Sequence, residues 1–142
     1  MWKQKLGMSV GNKYSVPTTE VIKIISSAGF DAVSPEWEEN VDLEKIANTA
    51  ASCGVAVQSL HAPFGGSADM WNADKGKYEP ALAKLFLSLE DCHRYSIPLL
   101  VVQAWIGFDD NPAPTAQGFE NFGKLVDKAR GYGIKIAFEN TE

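Results

Sequence analysis

The chain has 142 residues, enough for one domain with its own core. Hydrophobic residues make up 45% and charged residues 22%, a balance that excludes a disordered or collagen-like chain. The net charge of -5 argues against nucleic acid as a partner, because phosphate binding needs a basic surface, and no apolar run reaches the ~18 residues of a membrane helix.

The opening Met1-Trp2-Lys3-Gln4-Lys5 has no apolar signal core behind it. Cys53 and Cys92 lie far apart with no CxxC spacing. Two reduced thiols in a cytoplasmic protein are the simplest expectation.

A first apolar stretch, Leu6 to Val10, reads as a strand. A helix follows from Thr18 or Thr19, after Pro17, with Val21, Ile24, Ile25 and Ala28 on one face and Gly29 as its left-handed stop. Ala32 to Ser34 reads as the second strand. The second helix is capped by Asp42, buries Leu43, Ile46, Ala47 and Ala50, and ends at Gly54. Val55 to Leu60 is the third strand. The third helix is the longest, with Leu82, Leu85, Phe86 and Leu89 as its stripe, and Pro98 prevents its continuation. Leu99 to Val102 is the fourth strand. The fourth helix starts near Thr115, uses Phe119, Phe122, Val126 and Ala129, and ends at Gly131 and Gly133. Ile134 to Phe138 is the fifth strand. The later strands are rich in β-branched and aromatic residues, as strands buried on both faces should be.

Ala28-Gly29-Phe30-Asp31, Cys53-Gly54-Val55 and Tyr132-Gly133-Ile134 repeat one device. A helix ends on glycine and a buried strand begins at once, as in a repeating βα unit. The loops after the strands are longer and carry polar and aromatic residues. They run over 12–17, 36–41, 61–75 and 105–114. The interesting side chains therefore fall at the carboxyl ends of strands, the edge that holds the site in α/β architectures.

Five strands alternating with four helices predict an α/β fold, the N-terminal half of a (β/α)8 barrel. The whole chain, 1–142, is then one incomplete domain, since a barrel takes typically ~250 residues. An open doubly wound sheet has the same element order. It would carry a glycine-rich phosphate loop after the first strand, and Gly7-Met8-Ser9-Val10-Gly11-Asn12 lacks that spacing.

Strand-terminal Ser59-Leu60-His61-Ala62-Pro63-Phe64 and Ala137-Phe138-Glu139-Asn140-Thr141-Glu142, with the opening Leu6-Gly7-Met8-Ser9 and the phrase Gly29-Phe30-Asp31-Ala32-Val33, resemble the xylose isomerase-like superfamily. That superfamily includes endonuclease IV, hydroxypyruvate isomerase, inosose dehydratase and the ketose 3-epimerases. The resemblance covers the chain in element order and loop length.

The resemblance implies that Glu139 is a metal ligand at the barrel mouth and, in an epimerase, a catalytic acid/base. A carboxylate ending a buried strand also needs a cation or hydrogen bonds for physical reasons. The implied cofactor is a divalent ion, Mn²⁺, Mg²⁺, Co²⁺ or Zn²⁺. It would polarise a sugar carbonyl or hydroxyl while carboxylates move the proton on the adjacent carbon. The family's other ligands come from later strands.

His61 is expected to contact substrate or metal. Gln103 stands where endonuclease IV has a zinc-binding histidine. Gln is a poor zinc ligand but can bond sugar hydroxyls, which favours a sugar site over a DNA-repair site. Glu36 and Trp37 can bind and stack a sugar ring, or form a loop packing pair. Trp105 and Trp71 lie in loops that would roof the site, and Trp71 can equally plug the third helix. Asn140 would orient Glu139 or a substrate group. His93 is expected against the barrel wall. Glu38, Glu39, Asp109, Asp110 and Glu142 carry no assigned chemistry.

The expected function of the full-length protein is a metal-dependent isomerase or epimerase of a sugar or sugar phosphate, with a small-molecule sugar as its partner. The alternatives are an endonuclease IV-like hydrolase, which should show a basic groove and a histidine at 103, and a non-catalytic half-barrel. The latter's open sheet edges would favour a homo-oligomer.

Overall fold

The computed structural model describes residues 4–11, 13–105 and 114–140, with the side chains of Trp105 and Asn140 outside the description. The elements alternate along the chain. They are β1 (Gly7–Val10), α1 (Thr18–Ser27), β2 (Ala32–Pro35), α2 (Leu43–Ser52), β3 (Ala56–Val57), β4 (Leu60–His61), α3 (Lys75–Arg94), β5 (Leu99–Trp105), α4 (Ala116–Tyr132) and β6 (Lys135–Asn140). A 3-10 turn, Ala68–Trp71, precedes α3.

All pairings are parallel, in the orders β1-β2-β3 and β4-β5-β6. The two sets join through a single bridge between Glu36 and His61. β3 and β4 are thus two pieces of the third expected strand. The strand read as continuous from Val55 is broken at Gln58-Ser59, where it leaves its ladder with β2 and takes up one with β5. A parallel sheet crossed by helices between successive strands is the partial (β/α)8 architecture.

The glycine stops act as their positions demand. Gly29, Gly54 and Gly133 have φ of 85°, 69° and 69°, a region that costs residues with a Cβ. The Asp42 carboxylate accepts from Lys45 N, and Thr115 Oγ1 accepts from Gly118 N, so both helices begin on side-chain caps.

Side chains alternate across the sheet. Val33, Leu60, Leu100 and Val102 are fully buried towards the helices, and each large apolar group so buried stabilises the fold by about 1.5–3 kcal/mol. The opposite face is small and polar. There Ser34 and Ser59 share a buried 2.6 Å hydroxyl bond, which shows that these two strands turn the same parity of residue to the barrel interior.

Two helix faces differ from expectation. Ile24 is 61% and Phe119 65% exposed, whereas Ile22 and Leu125 are fully buried. The buried stripes run through neighbouring positions, because the faces that meet the sheet are rotated from those read by spacing alone. Ala47 and Phe86 are half-buried. His93 is exposed and stacks on Tyr132, with ring centroids 4.4 Å apart. It packs against α4 rather than the barrel wall.

Trp71 is a plug, seated against α4. Its ring packs on Phe119 and Phe122 and its Nε1 donates to Ala104 O at 2.6 Å. A Cβ on Gly118 would lie 2.0 Å from Trp71 Cε3, so this close approach requires glycine. Gly118→Ala should lower stability by about 1–3 kcal/mol. Gly123→Ala, on the same helix with nothing within 4 Å of the added atom, should raise it by up to ~1 kcal/mol. Urea unfolding of both variants checks the opposite signs.

Cys53 and Cys92 are free thiols. Burial pushes the Cys92 thiol up to about 12, with a smaller contribution from Asp91. Below the ordinary value of 9.0 both folded and unfolded chains keep it protonated. Above that value only the unfolded chain ionises, so stability falls as pH rises. The urea midpoint should decline from about pH 9 upward, and Cys92→Ala should flatten that decline.

Candidate functional site

Parallel register fixes which strand ends meet. Glu36 follows β2 and bridges to His61 at the end of β4. Gln103 on β5 is the register partner of Glu139 on β6. All four lie at the carboxyl ends of their strands, and their parity matches the interior-facing Ser34 and Ser59.

His61 and Glu139 meet directly. His61 Nε2 lies 3.3 Å from Glu139 Oε2. His61 Nδ1 lies 2.7 Å from Ala62 O, and a carbonyl oxygen only accepts, so Nδ1 carries a proton. In the neutral ring Nε2 is then an acceptor facing a carboxylate, which is also an acceptor when ionised. Two acceptors at this distance need a proton or a cation between them. An imidazole whose far nitrogen is held by a backbone carbonyl is also the arrangement that orients metal-binding histidines. Glu139 is half exposed and His61 mostly buried. Among the described residues no third His, Cys, Asp or Glu joins them, so the described residues bring together two candidate donors, where a divalent ion takes four to six.

Glu36 lies against Gly11, the residue that follows β1. A Cβ on Gly11 would lie 3.1 Å from each Glu36 carboxylate oxygen. Beside Glu36 lies an open cleft of ≈ 400 Å³, lined by Lys13, Phe64, Gly65 and Lys84 among others. Lys84 pairs with Glu39 across 3.5 Å.

Gln103 is buried, 5% exposed, and its Oε1 has no hydrogen-bond partner. Trp37 also lines the cleft, but the residue is only 6% exposed and Nε1 donates to Asp91 on α3 at 2.8 Å. That bond ties the indole to α3. Trp105 and Asn140 pair across the ends of β5 and β6, while their side chains lie outside the described residues. Glu142, Asp109 and Asp110 lie outside them as well.

Phe64 carries no expected role, although it stands within the strand-terminal segment His61-Ala62-Pro63-Phe64. It is 49% exposed and stacks on the His61 ring at 4.2 Å and 13°. The only signal was an aromatic three residues beyond a strand-terminal histidine, which by itself reads as an ordinary loop residue.

A sequence profile described as the xylose isomerase-like TIM barrel matches residues 22–142. No curated protein sequence matches the chain. Among solved structures it is similar to an AP endonuclease, family 2, from Brucella melitensis, at 17% identity and TM-score 0.75, over 94% of this chain and 54% of that one. It is similar to 3-keto-D-glucoside 4-epimerase from E. coli, at 16% and 0.74, over 94% and 56%. A Thermus thermophilus protein soaked with ZnCl2 aligns at 16% and 0.73, over 97% and 57%. The chain spans about half the length of these structures. Identities this low speak for the fold alone, and the profile, matching most of the chain, speaks for the lineage. The chain belongs to the xylose isomerase-like TIM barrel family.

Proposed function

We propose that the full-length protein is a metal-dependent sugar isomerase or epimerase that moves a proton on a carbon next to a carbonyl. The observation that carries this reading is the His61–Glu139 pair, an imidazole nitrogen and a carboxylate oxygen 3.3 Å apart at the barrel mouth. Structural relatives named as epimerases support it, as does the general binding of divalent metals in the family.

The donor set fits a divalent ion of the Mn²⁺, Co²⁺ or Zn²⁺ kind, one imidazole nitrogen and one carboxylate oxygen. Glu139 and His61 would hold it, together with ligands from beyond the described residues. When bound, such an ion stabilises negative charge developing on a carbonyl or hydroxyl oxygen. The remaining chemistry falls to the side chains. Glu139 takes the proton from the substrate carbon on a carboxylate oxygen; in an isomerase it returns it to the neighbouring carbon, and in an epimerase a second acid on the opposite face delivers the new proton. Phe64 covers one face of the imidazole and limits water there. Glu36 offers a second carboxylate on the same edge, able to accept from a sugar hydroxyl.

The hydrolase reading is weaker. The strand end at 103 carries glutamine, a poor zinc ligand, where the resemblance to endonuclease IV calls for histidine.

Incubating the full-length protein with Mn²⁺ and D-fructose, D-tagatose, D-psicose or L-ribulose in D2O tests the proposal. Proton NMR should show deuterium entering next to the carbonyl of at least one ketose. Chelation should abolish the exchange, and Glu139→Gln should slow it at least ~100-fold. Exchange that survives Glu139→Gln would remove Glu139 from the chemistry. No exchange with any ketose would count against the isomerase reading as a whole.

A further inference from the structure

The end of β5 is irregular. Gln103 pairs with Glu139 and the next pair is Trp105 with Asn140, so Ala104 is an extra residue on β5 with no register partner on β6. On its other side β5 pairs with β4 at Leu100 and Val101, short of Ala104. A bulge of this kind bends its strand and sharpens the local twist, and the backbone groups it frees need other partners. Trp71 supplies one. Its Nε1 donates to Ala104 O at 2.6 Å.

Trp71 also ends the loop that starts at His61. That loop is tied to β5 near both its ends, by Ala62 N donating to Val101 O at 2.8 Å and by the indole at Ala104. Between the two ties stands Phe64, stacked on the His61 ring. Trp71 is itself held from α4. Thr115 Oγ1 donates to Trp71 O and Asn121 to the neighbouring Met70 O, and the indole lies directly on Gly118, where a Cβ would stand 2.0 Å from Cε3.

These contacts close into a circuit. His61 begins the loop, the loop ends on Trp71, and Trp71 bonds the bulge beside Gln103. Gln103 is in register with Glu139, and Glu139 Oε2 lies 3.3 Å from His61 Nε2. A phenylalanine would fill most of the space that Trp71 occupies. What the indole adds is an N–H, and it is directed at the residue that the β6 ladder skips.

The geometry points to Trp71 as a positioning residue for the His61–Glu139 pair. Its N–H locks the bulge at Ala104, and the lock fixes how the loop after β4 and the end of β6 present imidazole and carboxylate to each other. Trp71 touches neither group. The inference rests on the reading that this pair is the reactive centre, and the lock is testable without turnover.

Trp71→Phe keeps an aromatic ring near Phe119 and Phe122 and removes the N–H. Phe119→Leu takes an exposed ring away from the same indole and leaves the N–H in place. Native-state hydrogen exchange of the full-length protein compares the two. Trp71→Phe should speed amide exchange at the ends of β5 and β6 and in the loop after His61 by at least ~10-fold, with β1 and β2 within ~2-fold of wild type. Phe119→Leu should leave those ends protected. Protection lost evenly over both sets of strands in Trp71→Phe, protection unchanged at those ends, or the same local loss in Phe119→Leu would each overturn the inference. In the ketose proton-exchange assay, Trp71→Phe should lower kcat at least ~10-fold with KM within ~2-fold, because a misplaced reacting group acts on the chemical step. An unchanged kcat would overturn it as well. A wild-type protein that exchanges no proton on any ketose would instead remove the proposed function, and amide exchange would still decide whether Trp71 locks the bulge.

Discussion

Parallel strand register is the constraint on which the rest of this structure depends. It sets Gln103 beside Glu139 and Glu36 beside His61. Because each strand returns through a helix, every strand runs the same way and every polar terminus arrives at one edge. A slip of one residue would turn these side chains into the apolar layer under the helices and bring Val102 or Leu60 to the mouth. The apolar residues between them prevent that slip. Leu60, Leu100 and Val102 are fully buried on the helix side, so the core that holds the strands in place also sets the facing of the site.

The loops above that edge are held by contacts remote in sequence. Trp71 donates to Ala104 O, next to Gln103, and Thr115 Oγ1 donates to Trp71 O at 2.7 Å. The wholly buried Asn121 donates to Met70 O at 2.9 Å. The start of α4 thereby fastens the loop that follows His61. Trp37 fastens the loop after β2 to α3 through Asp91 in the same manner. Trp71 occupies one of the loops expected to roof a ligand, and both indoles serve as anchors. Loops anchored to the scaffold by such bonds are the arrangement that binding sites use to hold geometry.

Much of this was legible in the sequence because it is written in local signals. Glycines after helices, the Asp42 and Thr115 caps, and apolar runs bounded by polar ends each act within a few residues. Those signals located all four helices and the strand termini carrying Glu36, His61, Gln103 and Glu139. What escaped depends on distant partners. The Trp37 bond spans 54 residues in sequence and the His61–Glu139 contact 78. The exposure of Ile24 and Phe119 depends on how each helix is rotated against its neighbours, which spacing alone does not fix. The split of the third strand follows from its change of partner between β2 and β5. Phe64 could not be placed over His61 without the course of the loop between them.

The chemistry of this edge turns on the state of one imidazole. A long-range ¹H–¹⁵N spectrum of the imidazoles, with His61→Gln to assign the resonances, reads that state. His61 should carry its proton on Nδ1, bonded to Ala62 O, and adding Zn²⁺ to the full-length protein should shift the Nε2 resonance while leaving Nδ1 protonated. A neutral His61 protonated on Nε2, or an Nε2 resonance unmoved by saturating Zn²⁺, would contradict the metal-site reading, because the Glu139 carboxylate would then face an ordinary hydrogen-bond donor and nothing at this edge would call for a cation.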